Sequence, residues 1–566
     1  MKNKKYLPIL LISALIISAT ILGGWIAGET KSSKPDYYFE IEKNIALFGK
    51  VYEEVTKRYV EVIDPEKFMK AGINGMLRTL DPYTMYIEQE GEGSFDLKLL
   101  TTGKYGGVGM RIAKRDNWPT VVEPPFEGTP SARASIREGD RIIEIDGKST
   151  KELTITETAQ LLRGKIGTEV NIKMRRHGVE MPLEFRLIRA EINVSDISYS
   201  GFVDDKIGYI RLSRFSRLAG KQLRDSIAVM KDQGMESLIL DLRGNPGGLL
   251  ESAVQVAENF INKGKPIVSK KGRHSSSNKD YLSRTEAIWA DKPLAVLVNG
   301  SSASASEIVA GAVQDLDRGI IIGQPTFGKG LVQTVIPITR SGSSLKITSE
   351  KYYLPSGRLI QKPDFIRTKD IVWGYKSEED TTKKEEIYFT ATKREVLGGG
   401  GIKPDIEIEG STFSPLTINL IMKSMFFNFA LEFASNHNEL QKDFSISEKI
   451  VSNFRTFLKT KNFSYKTESE MQIEELEKTI QEEKYSENVM SYLVGLKNSI
   501  QKEKENDFDK NIDQIKRRLR AEIAAKLWGT PGKYESEFQF DKTIQKAVEV
   551  LTNNENYFSL LNTKVE

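Results

Sequence analysis

Two residues of this chain could do chemistry together. Ser304 closes the run Asn299-Gly-Ser-Ser-Ala-Ser, just before Ala305-Ser-Glu307, and Lys329 follows 25 positions later in Gly323-Gln-Pro-Thr-Phe-Gly-Lys-Gly330. A serine hydroxyl becomes a useful nucleophile when a neighbouring base takes its proton, and an uncharged lysine can be that base. Its pKa must then fall from about 10.4 toward 7–8, through burial or a positive neighbour. Phe327, Leu331 and Val332 could supply apolar walls. Gln333 could orient the amine without adding a negative charge that would keep it protonated. The apolar run Leu294–Val298 and the turn at Asn299-Gly300 predict a helix over Ala303–Gln314 with Ser304 in its first turn. Free backbone N–H groups at such a start can stabilise a developing oxyanion.

Taken singly, each piece also has a plainer reading. Ser304-Ala-Ser-Glu307 fits a helix-capping box, and a lysine between glycines fits a solvated turn. Asp241-Leu-Arg-Gly-Asn-Pro-Gly-Gly248 fits a strand-to-helix turn, but Gly247 or Gly248 could also offer a second oxyanion N–H. Gly323-x-x-x-x-Gly328-Lys329 matches a phosphate loop up to its last position. Gly330 stands where Ser or Thr must bind magnesium, and the strand-like Leu331–Pro337 follows where a helix belongs. Nucleotide binding is therefore set aside.

Composition narrows the field further. The 566 residues contain no cysteine, which excludes thiol nucleophiles, disulfides and thiolate metal sites. The three histidines, His177, His274 and His437, lie far apart and outside any HExxH helix, so a zinc site is not expected, and a Ser-His-Asp triad stays open although no histidine has a setting that recommends it; no cofactor is expected. A net charge of +4 without a basic block beyond the extreme N-terminus argues against nucleic-acid binding.

The elements that must hold these residues fall into five stretches. Residues 1–34 contain three lysines ahead of an uncharged apolar run, Tyr6–Gly28, long enough to span a bilayer. The expectation is a protein of the cell envelope on the periplasmic side, anchored to the inner membrane by residues 6–28, with a cleaved signal peptide as the alternative. Residues 35–97 read as a helical lead-in. Residues 98–193 hold short β-rich runs, including an expected strand opening at Gly106–Met110. Residues 194–410 alternate strand and helix, and near-continuous apolar strands such as Ser237–Asp241 and Gly319–Gly323 indicate a sheet covered on both faces. Residues 411–566, poor in glycine and rich in Glu, Lys and Leu, read as a helical C-terminal domain. The fold class is α+β and multidomain.

Together these blocks resemble the carboxyl-terminal processing peptidases, or tail-specific proteases, which are Ser-Lys dyad serine peptidases. The resemblance rests on Leu80–Tyr86, Gly106–Met110, Gly139-Asp140, Asp241–Gly248, Ser302–Glu307, Gly328–Gly330 with Gln333, Leu354–Arg358 and Gly400–Asp405, and covers roughly residues 36–410. It implies that Ser304 is the nucleophile, Lys329 the general base and Gln333 its positioner. The N–H groups of Ala305 and of Gly247 or Gly248 would form the oxyanion hole, and hydrolysis would run through an acyl-enzyme. It also implies that the β-rich stretch is a PDZ-like domain that binds protein or peptide C-termini by strand addition. Tyr105, Gly106, Gly107, Val108 and Gly109 would then hold the carboxylate, with Leu161 and Leu162 lining the pocket for the last side chain. The stretch Gln361–Gly398 is longer than the family pattern, and the helical region from Ser411 lies outside it. That region could serve oligomerisation or docking of an adaptor protein. The expected function is a serine endopeptidase acting on protein C-terminal tails, with a non-catalytic PDZ adaptor on a peptidase fold as the rival.

Overall fold

The computed structural model describes residues 36–89, 91–338, 342–362, 386–410, 412–437 and 439–561. The apolar run at residues 6–28 and most of the 361–398 excursion lie outside the described residues, though a short hairpin, Ile387–Phe389 with Glu395–Leu397, belongs to the latter's end. Among the described residues no helix is long and apolar enough to cross a membrane.

Two compact units divide at Arg78/Thr79, inside the expected 35–97 lead-in. The first holds the helices Asp36–Arg58 and Pro65–Arg78. All that follows belongs to the second, including the edge strand Met85–Ile87 and the helix Glu92–Thr102.

Residues 104–193 fold around an antiparallel sheet. Its strands run Ile112–Arg115, Trp118–Val121, Arg141–Ile145, Glu169–Arg175 and Leu183–Ile188 in that spatial order, with Lys148–Ser149 pairing Arg141–Ile145. Glu169–Arg175 buries Val170, Ile172 and Met174 and exposes or half-exposes the residues between them, the period of two expected of a strand with one face on a core. The strand expected at Gly106–Met110 is displaced. Lys104–Gly107 pairs with Ala190–Asn193 as a separate ribbon. The chain leaves the ladder at Val108 and Gly109 because their carbonyls accept from Ser131, at 2.9 Å, and Phe126, at 3.0 Å.

The central core is built on a six-stranded sheet in the order Ile197–Asp204, Ile207–Leu212, Ser237–Asp241, Leu294–Val298, Ile320–Gly323, Ile406–Glu407, parallel from the second strand onward. One face packs Leu238, Leu240, Val296 and Ile321 against the helices Ala219–Asp232, Leu250–Ala257 and Ala305–Asp315. The other face, with Tyr209, Ile239, Leu297 and Ile322, packs against Phe538, Ile544, Val550, Leu551 and Tyr557. The last two helices, Lys542–Thr552 and Asn554–Leu560, are therefore a layer of this core, not an appendage to it. A second, antiparallel sheet joins Met85–Ile87, Leu331–Pro337, Pro266–Gly272 and Lys279–Leu282 around the long strand Ser344–Tyr353. Of the remaining C-terminal helices, Pro415–Met422, Met425–Ser435, Glu448–Thr460 and Ile512–Glu537 share a core that includes Phe426, Phe429, Phe454, Leu519 and Ile523.

Candidate active site

The fully buried strand Leu294–Val298 sets the position of Ser304. Where it ends, the Asn299 side chain holds the turn by accepting from the N–H groups of Gly244 (3.0 Å) and Ser301 (3.1 Å), while the Ser302 hydroxyl donates to the Leu242 carbonyl at 2.8 Å. Ser304 is the N-cap of the helix Ala305–Asp315 and has φ 55° and ψ −112°, a conformation costly for a residue with a Cβ. Its hydroxyl makes no cap hydrogen bond. The Glu307 N–H reaches the Ser304 carbonyl oxygen at 2.8 Å instead. The capping pair Ser304 and Glu307 is present, and the Glu307 carboxylate closes it by accepting from the Ser304 N–H.

Glu307 is the residue whose importance the sequence pattern understates. Its carboxylate is fully buried and accepts four hydrogen bonds: Ser304 N–H (2.7 Å) and Lys329 N–H (2.9 Å) on one oxygen, Gly328 N–H (2.7 Å) and the Thr326 hydroxyl (2.6 Å) on the other. One side chain so fastens the serine turn to the lysine loop. Burial raises its pKa against those hydrogen bonds. Tyr352, also fully buried, shares its hydroxyl proton between the carbonyls of Lys329 (2.6 Å) and Ser304 (3.2 Å).

Lys329 is held down to a pKa of about 8, mainly by burial and secondarily by the charge of Lys346, with Glu307 and Asp81 opposing. Its ammonium lies 4.2 Å from the centre of the Tyr83 ring. The expected wall Phe327 is instead exposed, and Tyr83 takes that role. Asp81 sets the Tyr83 turn by accepting from the N–H groups of Tyr83 (2.7 Å) and Thr84 (2.8 Å). Gln333 donates to the Thr348 hydroxyl at 3.3 Å, and Thr348 N–H donates to the Thr84 hydroxyl at 3.2 Å, so Gln333 ties to the Tyr83 turn and not to the amine itself.

Ser304, Lys329, Gln333, Gly247, Gly248, Lys346 and Tyr352 line one cavity of about 1380 Å³. Among the described residues no hydrogen bond joins the Lys329 amine to the Ser304 hydroxyl. Beside Ser304, Gly247 has φ 98°, and a Cβ there would stand 2.7 Å from the Ala303 carbonyl and 2.9 Å from Ala305 N. Only glycine lets the loop come this close. The Gly247 N–H is already given to Asn245 Oδ1 (2.9 Å), whereas those of Gly248 and Ala305 meet no protein acceptor among the described residues. Of the proposed donors, those two are the available pair.

The expected tail-binding residues lie elsewhere. Tyr105–Gly109 do not line this cavity, although Arg111 and Phe126 of the same module do. Gly109, with φ 81°, lies so close to Thr129 that a Cβ would stand 2.3 Å from that residue's Cβ. Leu162 is buried in the module's core beside Val108 and Met110, and Leu161 sits half-buried at its edge. Among the described residues no group of acidic or histidine side chains could hold a metal.

Four family models match the chain in succession: an activating protease CtpB N-terminal domain over residues 27–91, a PDZ domain over 121–176, Peptidase family S41 over 206–371, and a probable PDZ-protease C-terminal helical domain over 416–551. The carboxy-terminal-processing protease of Bartonella bacilliformis is 38% identical over 356 residues, which are 61% of this chain and 80% of that protein. The chain belongs to the carboxy-terminal processing proteases. It is a serine peptidase with a PDZ domain, an S41 peptidase core and a helical C-terminal domain. The protease CtpA of Bacillus subtilis is 35% identical over 366 residues, 64% of this chain and 76% of that one. Among solved structures, a photosystem II D1 C-terminal processing protease aligns at 24% identity and a TM-score of 0.33, covering 64% of this peptidase and 92% of that chain.

Proposed function

We propose that this peptidase cleaves proteins near accessible C-terminal tails, with Ser304 as nucleophile and Lys329 as general base. The observation that carries the reading is Glu307, which binds the backbone N–H groups of both residues, and both residues line one cavity. In the reaction, Lys329 swings its amine from the Tyr83 ring to the Ser304 hydroxyl and takes its proton as Oγ attacks the peptide carbonyl. The N–H groups of Ala305 and Gly248 receive the negative oxygen. Lys329 then gives the proton to the departing amine, leaving an acyl-enzyme that water hydrolyses. Gln333 acts indirectly, through Thr348 and Thr84, on the turn that carries Tyr83. The PDZ domain recruits the tail at Tyr105–Gly109, where the N–H groups of the glycine-rich loop receive its carboxylate. Residues 6–28 hold the enzyme in the inner membrane with its body on the periplasmic side, and the helical C-terminal domain is available for self-association or an adaptor.

A Ser304→Ala variant tests this directly. Incubated with a protein substrate bearing a PDZ-binding tail, it is expected to bind and not cleave, and pull-down from the membrane fraction should return the full-length chain with trapped proteins. Undiminished cleavage by Ser304→Ala would remove the mechanism. A wild-type protein inert on every tail it binds would favour the adaptor, and recovery only from the soluble fraction would remove the anchor.

A further inference from the structure

The loop that carries Gly248 starts at Asp241, which is fully buried. Its carboxylate accepts from the Tyr209 hydroxyl (2.6 Å), Arg211 Nη1 (3.1 Å), and Arg243 Nη2 (2.7 Å), Nε (3.0 Å) and N–H (2.8 Å). Two guanidinium groups therefore share one buried anion, which leaves the cluster one negative charge short. The missing charge comes from far along the chain. Arg243 Nη1, turned away from Asp241, donates to both oxygens of Asp541, at 3.0 and 2.9 Å. Both partners are largely shielded, with side chains 15% and 19% exposed. Asp541 also caps the helix Lys542–Thr552, accepting from the N–H groups of Thr543 and Ile544. It is thus anchored on both sides.

From Arg243 the restraint runs down a short loop. The Arg243 carbonyl accepts from Arg211 Nη2 at 3.0 Å, Gly244 N–H donates to Asn299, and Asn245 receives Ala303 N–H (3.1 Å) on its carbonyl and Gly247 N–H on its side chain. Gly248 follows. We propose that Asp541 is a positioning residue for catalysis: by holding Arg243 it fixes the loop that aims the Gly248 N–H at the reacting carbonyl, so the helical C-terminal domain takes part in the peptidase chemistry. This rests on the oxyanion role proposed above for Gly248. The same domain also reaches the catalytic cavity through Gly529, Thr530, Pro531 and Tyr534, where the helix Ile512–Glu537 kinks at Trp528 and Gly529.

Asp541→Asn is the informative variant, because asparagine keeps a side-chain oxygen for the helix cap and loses the charge that faces Arg243. In the full-length peptidase, kcat on a tailed protein substrate should fall about 10- to 100-fold, with KM within about twofold of wild type. Affinity for a peptidyl boronate, whose oxygen occupies an oxyanion hole, should fall by a similar factor. Arg243→Gln should do the same, and the double variant should be no worse than Arg243→Gln alone, since both act through one loop. Unchanged kcat and boronate affinity in Asp541→Asn would overturn the proposal. So would a loss additive with Arg243→Gln, or one that appears in KM alone. If Ser304→Ala still cleaves, the reading of the site itself fails. If Ser304→Ala is inert while Asp541→Asn matches wild type, only the positioning role fails.

Discussion

A lysine can take a proton only when it carries none to spare. With a pKa of about 8, most Lys329 side chains are charged at neutral pH, and roughly a tenth are uncharged, the form its proposed role as base requires. Burial is the larger cause and the charge of Lys346 the next, while the Tyr83 ring favours the ammonium. The rate of acylation should therefore rise with pH, with a midpoint near 8 and a plateau above. Replacing Lys346 with Met removes a like charge, so the Lys329 pKa should move up and the rate at pH 7 should fall. Single-turnover acylation measured from pH 6 to 10 in both proteins checks the sign. A midpoint that moves down in Lys346→Met would contradict it. At this scale the sequence was legible where structure is local: the short runs around Ser304 and Lys329 announce a helix start and a tight turn, and both residues line one cavity. Tyr83, Lys346 and Tyr352 were not, because they reach the site from other strands and turns and no spacing rule connects them to it.

Between residues and fold stand two short elements, the first turn of the Ala305–Asp315 helix and the loop from Thr326 to Gly330, and Glu307 is what joins them. All four of its donors point at carboxylate oxygens. Glu307→Gln would turn an NH2 group toward two of them, leaving buried N–H groups unsatisfied. Hydrogen bonds to a charged group contribute about 1.5–3 kcal/mol each, so the loss of two should cost about 3–6 kcal/mol in stability. Activity should fall at least about tenfold, since the proposed nucleophile and base lose their common tether. Chemical denaturation and kcat/KM measured together decide this, and a variant as stable and active as wild type would show that the tether is dispensable. The capping pattern Ser304-x-x-Glu307 was visible in the sequence, but it predicted a bond within one helix and gave no sign of the loop 21 residues on. Similar limits explain the strand Met85–Ile87, hidden in a helical-looking lead-in. Three residues carry too little periodicity, and their partners, Ser344–Lys346, lie far along the chain. By contrast the long apolar strands of the core were readable, because a strand buried on both faces leaves a continuous apolar run.

For the whole molecule, the decisive arrangement is the sheet with helices on both faces. The amphipathic character of the last helices is visible in the chain, but nothing in it tells which surface they cover. They cover the peptidase sheet: Ile544, Val550, Leu551, Tyr557 and Leu561 pack on Tyr209, Ile239, Leu297 and Ile322, and the Tyr557 hydroxyl accepts from Leu294 N–H at 3.0 Å. Burying each large apolar side chain contributes about 1.5–3 kcal/mol, so this layer rivals the roughly 5–15 kcal/mol that holds a whole domain folded. A chain ending at Asp541, which keeps the partner of Arg243 and lacks the two helices, should not yield a soluble folded peptidase. Leu551→Ala, a milder probe of the same layer, should cost about 2–5 kcal/mol and lower the melting temperature without moving the pH midpoint of acylation. That combination separates support of the sheet from tuning of the site. If the shortened chain melts and cleaves like the full one, the sheet does not depend on this layer, and the peptidase core would be complete without its C-terminal helices.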